Sequence, residues 1–246
     1  MTAAVSIVTA WVTFQVVKRA EIRETIAAEL EKQQALMRQS LERDRDERLR
    51  IETLRWANPI LGAEKSLSKR LDNILIGDGY LALSEQGLWD RHWSVTYDYF
   101  MQSTLFEFAQ YFASIERFKQ EMSFELFRKG VPDKDHLIDR IDAVAGSLSD
   151  FPRDGVCKEN DAQVFTLQQR AMGDLLSADA SGKLISFAEF GERIQAPRYK
   201  RTFEPLRRLL KDVTPEDCRW ARLQLCRTAL KDIAQTCEEL LSPGRR

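Results

Sequence analysis

The chain has 246 residues, 43% hydrophobic and 30% charged, with a formal net charge of −1. That length fits one large domain or a domain with an appendage, and the apolar content can fill a sizeable core. The near-neutral balance excludes a global field toward nucleic acid or an acidic membrane, so any such attraction must come from a local patch.

Only 11 Gly and 7 Pro interrupt the chain, and its apolar segments carry helical spacing. We expect an all-α fold in three parts: an N-terminal single transmembrane helix over residues 1–17, a long charged helical stalk over 18–55, and a C-terminal helical bundle over 56–246. The cysteines are Cys157, Cys218, Cys226 and Cys237, with no CxxC pair. A chain this long does not need disulfides, so reduced, partly buried thiols in a cytosolic domain are expected.

The opening "MTAAVSIVTAWVTFQVVKRAEIRE" is uncharged until Lys18 and Arg19. A full bilayer span needs ~20 apolar residues, with ~17 as the lower limit. The stretch reaches that limit, diluted by Thr2, Ser6, Thr9, Thr13 and Gln15. A cleavable signal would carry its positive charges before the apolar core, not after it. We read an anchor in the lipid bilayer, flanked by Lys18 and Arg19. The positive-inside rule then places the protein at the inner membrane of the cell, single-pass, with the C-terminal domain cytoplasmic. The alternatives are a soluble helix that docks on a partner and a processed signal. Trp11 at mid-span counts against an anchor.

Residues 18–55 contain no Gly or Pro, and charges of both signs alternate, as in "LERDRDERLRIETLR". Strong helix formers predominate. Ile22, Ile26, Leu30, Met37 and Leu41 form one narrow stripe, long enough for a short coiled coil but not sustained for four heptads. Homo-oligomerisation through this stalk and a solvated spacer held by i,i+4 ion pairs remain equal readings.

In "RWANPILGAEKSLSKRLDNIL", Asn58 suits a helix cap and Pro59 a first helical position. Leu67, Leu71, Ile74 and Leu75 make one apolar face. After a glycine-rich break comes the most apolar helix, about residues 91–129. Trp93, Tyr97, Phe100, Met101, Leu105, Phe108, Phe112, Ile115 and Met122 run along it, with Phe106, Tyr111, Phe118, Phe124 and Phe127 as a second line. Such a helix belongs at the centre of a bundle. Shorter helices are expected over 136–148, over 164–176 with Leu167, Ala171 and Leu175 on one side, and from Thr214 as cap and Pro215 as first residue.

No motif assigns chemistry. "DASGKLISFAEF" resembles half a calcium loop, but no register supplies oxygen ligands, so a turn at Ser181–Gly182, one short strand and a helix start are expected. "SLSK", Ser66 to Lys69, lacks its SDN and KTG partners. His92 and His136 have no neighbour at metal-ligand spacing. We therefore assign no catalytic residue, no metal site and no cofactor. One basic contact patch stands out in "PRYKRTFEPLRRLLK": Arg198, Lys200, Arg201, Arg207, Arg208 and Lys211, interleaved with Tyr199 and Phe203. It suits a lipid headgroup, RNA or an acidic partner, with a solvated basic face as the ordinary reading. One patch on a neutral chain is thin support for nucleic acid.

The segments "RWANPILGAEKSLSKRLDNIL", "STLFEFAQYFASIERF", "FTLQQRAMGDLL" and "SFAEF" resemble a family of uncharacterised bacterial membrane-anchored α-helical proteins, over roughly Arg55 to Phe190. The resemblance implies a membrane helix, a charged helical stretch and a helical domain, and no activity. We expect a membrane-anchored domain that works by binding an unknown protein partner, as scaffold, sensor or effector. The alternative is an enzyme or small-ligand domain with an aromatic-lined pocket fed by Glu116, Arg117 or His92.

Overall fold

A computed structural model of the chain describes residues 2–85, 96–121, 134–150, 163–177 and 183–242. The described residues are all-α: seven α-helices, a 3-10 turn over Gly79–Leu83, and an isolated bridge between Ser177 and Leu184. The expected short strand is reduced to that one bridge. The chain divides into two compact units, Met1–Glu52 and Thr53–Arg246.

The first unit belongs to helix α1, Thr2–Ile76. Residues 23–48 are exposed throughout. The apolar stripe lies in solvent, with Ile26 62% and Met37 67% exposed. Intrinsic propensity and alternating charge, rather than burial, make this stretch helical. Among the described residues, no helix is long and apolar enough to cross a membrane.

In the second unit α1 runs straight through the expected start at Asn58, with Pro59 in its interior. An interior proline removes one hydrogen bond and costs ~3 kcal/mol. The packing on either side opposes that cost. Ala57 and Ile60 are fully buried, and Trp56 meets Phe118 with ring centroids 5.0 Å apart. Leu67, Leu71 and Ile74 continue the buried face. The helix stops where Asp78 takes a left-handed conformation at φ 58°, one that a short polar side chain tolerates.

Helix α2, Tyr97–Glu121, is the centre of the core. Phe100, Met101, Leu105, Phe108, Phe112 and Ile115 are all buried, as are Phe106, Tyr111 and Phe118 from the second aromatic line. Trp93, Met122, Phe124 and Phe127 lie outside the described residues.

Helix α3 covers Lys134–Ser149 and α4 Thr166–Leu176. On α4 the expected apolar side is wrong in part: Leu167 is 78% exposed and Ala171 is exposed too. The buried side is Gln169, Met172, Gly173, Leu175 and Leu176. Gly173 explains the rotation, because only a residue without Cβ lets α4 approach α2 so closely. A Cβ there would lie 2.8 Å from the Ala113 nitrogen.

Helix α5, Phe187–Arg193, is capped by Ser186, whose hydroxyl accepts from the Glu189 amide at 3.2 Å. Helix α6 is Pro197–Leu210 and α7 is Cys218–Leu241. The start of α7 corrects the expected Thr214–Pro215 entry. Asp217 is the cap, accepting from the Arg219 amide at 2.9 Å. Its carboxylate also holds the Arg219 guanidinium, which donates to the carbonyls of Arg208 at 2.7 Å and Lys211 at 2.8 Å. One cap thus starts α7 and satisfies the orphan carbonyls at the end of α6.

A candidate anion-binding cleft between α4 and α6

The polar face of α6 and the entry to α4 enclose an open cleft of about 500 Å³. Its lining is Gln163, Phe165, Gln168, Pro197, Lys200, Arg201, Glu204, Pro205 and Arg208. The α6 residues recur at steps of one and three or four, so they share one side of the helix. The opposite side anchors it: Tyr199, Phe203, Leu206 and Leu210 are buried. The Tyr199 hydroxyl donates to the Leu175 carbonyl at 3.0 Å, fixing α6 against α4.

The expected basic patch is therefore divided. Lys200, Arg201 and Arg208 come together in the cleft. Lys211 pairs with Glu85 at 2.9 Å, and Arg198 and Arg207 do not line the cleft. Tyr199 and Phe203 are not interleaved surface aromatics. They are core, and the exposed aromatic is Phe165, at 50%. Lys18 and Arg19 lie exposed in the other unit.

The charges are three cations against one carboxylate. Glu204 accepts from Arg208 Nε at 2.9 Å, an i,i+4 pair along α6. Lys200 and Arg201 make no ion pair among the described residues. Pro197 is at the first turn of α6, and Phe165 is the cap residue of α4. Neither Phe165 nor Ala196 caps with its side chain; the Phe165 amide donates to the Gln168 side chain, and Pro197 has no N–H to offer.

Gln163 forms the buried end of the lining. It is 4% exposed, both its amide atoms are buried, and among the described residues neither has a hydrogen-bond partner. An unpaired buried polar group costs ~1–3 kcal/mol, and here two sit on one side chain. Its neighbours are satisfied. Gln168 accepts from the Phe165 amide at 2.9 Å, and Gln169 donates to Val164 at 2.8 Å and to Ala145 at 3.1 Å. Sequence reasoning missed Gln163, Phe165, Gln168 and Glu204, since no motif marks them. The available signal was the spacing of Pro197, Lys200, Arg201, Glu204 and Arg208 along one helix side.

Elsewhere the polar groups serve the core. Burial pushes the Glu64 carboxyl up to about 7, against the pull of Lys65 and a hydrogen bond from Ser68. Tyr111 lies near it, buried, with an unpaired hydroxyl pushed well above its usual range by burial. Cys226 and Cys237 are buried free thiols, each pushed up to about 12 by desolvation. Cys218 is disulfide-bonded, which corrects the expectation of reduced thiols at that position. Beside the aromatic helix α2, at Glu116, the cavity measures about 20 Å³, room for roughly one water. Glu116 is held by Arg170 at 3.3 Å, and His136 is exposed. His92 and Cys157 lie outside the described residues. Among the described residues, no group of three His, Cys, Asp or Glu side chains is placed to hold a metal ion.

No protein-family model, curated protein or solved structure matches the chain.

Proposed function

We propose that this chain is a helical binding protein whose cleft between α4 and α6 takes an anionic ligand or partner group. The carrying observation is that Lys200, Arg201 and Arg208 line one open cleft. Its role is that of a scaffold, sensor or effector. Phosphate should raise the melting temperature of the full chain in a saturable way, and Arg201→Glu should abolish the rise. An unchanged melting temperature at high phosphate would refute the reading.

We further propose that residues 1–17 attach the chain to a lipid bilayer and that the stalk pairs with a second copy. The uncharged opening and the solvent-facing Ile26, Leu30, Met37 and Leu41 support this. The resemblance to membrane-anchored helical proteins is consistent with it. Lys18 and Arg19 after the apolar run support an inner-membrane location with the C-terminal domain on the cytoplasmic side. Deleting residues 1–20 should release the chain into the soluble fraction with its helicity intact. Continued pelleting of a folded chain would refute the anchor.

A second reading of the compartment is favoured by the disulfide at Cys218, a bond that persists in oxidising surroundings. Protease protection of the C-terminal end in sealed spheroplasts separates the two.

A further inference from the structure

We propose that the cleft between α4 and α6 is a docking surface for an anionic phospholipid bilayer, with lipid phosphate on Lys200, Arg201 and Arg208, and with Phe165 and Leu167 dipping among the headgroups. The inference rests on the anion-binding reading above and names the source of the anion.

Charge complementarity points to a surface of opposite sign. Three cations line the cleft against the single carboxylate of Glu204. Arg208 shares its charge with Glu204 at 2.9 Å, while Lys200 and Arg201 are exposed and make no ion pair among the described residues. The whole chain has a formal net charge of −1, so the excess is local. A local excess on one face orients a protein against a charged surface. Each basic side chain near an anionic bilayer adds about fivefold to binding.

Exposed apolar side chains separate a bilayer from a dissolved anion. Phe165 lines the cleft and is 50% exposed. Leu167, in the first turn of α4, is 78% exposed, the most of any large apolar side chain among the described residues. Core packing explains neither, because the buried side of α4 is Gln169, Met172, Gly173, Leu175 and Leu176. A free phosphate has no use for a leucine beside its site. Nucleic acid stacks its bases on aromatic rings and likewise needs no aliphatic neighbour. A bilayer interface takes both residues, since each leaves water while the cations stay among the headgroups.

The arrangement is fixed by the core. Tyr199, Phe203, Leu206 and Leu210 bury the other side of α6, so its basic side must face out. The Tyr199 hydroxyl bonded to the Leu175 carbonyl at 3.0 Å holds α6 against α4. The cleft is open and measures about 500 Å³, room for a glycerophosphate headgroup whose chains remain in the bilayer.

The test is hydrogen exchange of the full chain in nanodiscs of neutral phosphatidylcholine, and in discs of phosphatidylcholine and phosphatidylglycerol at about two to one. Both discs offer residues 1–17 the same apolar interior, so the comparison isolates headgroup charge. Amides of α4 and α6 should exchange about tenfold more slowly with phosphatidylglycerol present. Lys200→Glu combined with Arg201→Glu should remove the slowing, and Leu167→Asp should remove most of it. Leu167→Gln keeps helix propensity and should act in the same direction, which separates lost docking from a folding defect. Equal exchange in the two discs overturns the proposal. Phosphate then decides the wider reading: a saturable rise in melting temperature leaves the anion site standing, and no rise removes both. Slowing that survives both Leu167 variants would mean a headgroup pocket without bilayer docking, and would overturn the surface. Polyglutamate that protects the same amides equally well in neutral discs would assign the cleft to an acidic protein and overturn the proposal.

Discussion

Gly173 on α4 lies directly against the backbone of Ala113 on α2. A Cβ at Gly173 would stand 2.8 Å from the Ala113 nitrogen and 2.9 Å from the Phe112 carbonyl carbon. Backbone cannot move aside as a flexible side chain can. Gly173→Ala should therefore force the two helices apart and cost ~1–3 kcal/mol. For a chain of this size that lowers the melting temperature by roughly 2–4 °C per kcal/mol. Because α4 also carries Phe165 and Gln168 into the cleft, the same change should weaken anion binding there. A variant as stable as the parent would show that the contact relaxes freely.

Burial makes the second unit sensitive to pH through Glu64. The residue is 2% exposed, and burial pushes its carboxyl up to about 7 from an ordinary 4.5. Below pH 4.5 the group is protonated in folded and unfolded chains alike, and burial carries no charge penalty. As pH rises the unfolded chain ionises first, so folding stability falls through the window up to about 7 and stays reduced above it. The loss is ~1–3 kcal/mol. Glu64→Gln should flatten this slope, matching the parent near pH 5 and exceeding it at pH 8. Thermal melts of both proteins across that range check it, and parallel curves would refute it.

The sequence makes some of this visible and hides the rest for physical reasons. Periodicity alone finds α2, because Phe100 to Phe118 are buried on several sides and leave a dense apolar code. It places Leu67, Leu71 and Ile74 correctly for the same reason. It fails at Asn58–Pro59, where local cap chemistry is strong but the tertiary packing of Ala57 and Ile60 wins. It fails at Thr214–Pro215, where Asp217 gains both an amide and the Arg219 guanidinium. On α4 it follows Leu167 and Leu175 at even spacing and misses that Gly173 sets the contact. The cations of α6 are legible, but Gln163, which shares the cleft lining with them, is not. An amide side chain acquires meaning only when the fold buries it without partners.

Arg222 on α7 is a tie between helices rather than a surface charge. It is 4% exposed and donates from Nη1 to the Ser147 carbonyl at 3.0 Å and from Nη2 to the Asp150 carbonyl at 2.9 Å. Burial lowers its pKa, and Asp150 acts against that. A forked cation at the last carbonyls of α3 complements the helix end. Arg222→Ala leaves those carbonyls unpaired and should cost ~2–4 kcal/mol. Arg222→Lys should recover little, because a single ammonium cannot span both carbonyls. Denaturant melts rank the three proteins, and full recovery by lysine would show that charge alone matters. The exposed pairs elsewhere, such as Lys65 with Glu238 at 2.7 Å, are worth far less.

The three described cysteines should separate by chemistry in one labelling experiment. Cys226 and Cys237 are free but fully buried, with thiols pushed up to about 12 by desolvation. The thiolate is the reactive species, so neither should react with a maleimide in the folded protein near pH 7. Denaturation without reductant should expose both, and peptide mapping should place the label on Cys226 and Cys237. Cys218 is held in a disulfide, so its label should appear only after reduction. Repeating the mapping on protein alkylated inside intact cells turns the bond into a compartment marker. A blocked Cys218 there places the domain in oxidising surroundings, on the side opposite to the one Lys18 and Arg19 favour. A Cys218 labelled without reductant places it where thiols stay reduced, and the bond is then not formed in the cell.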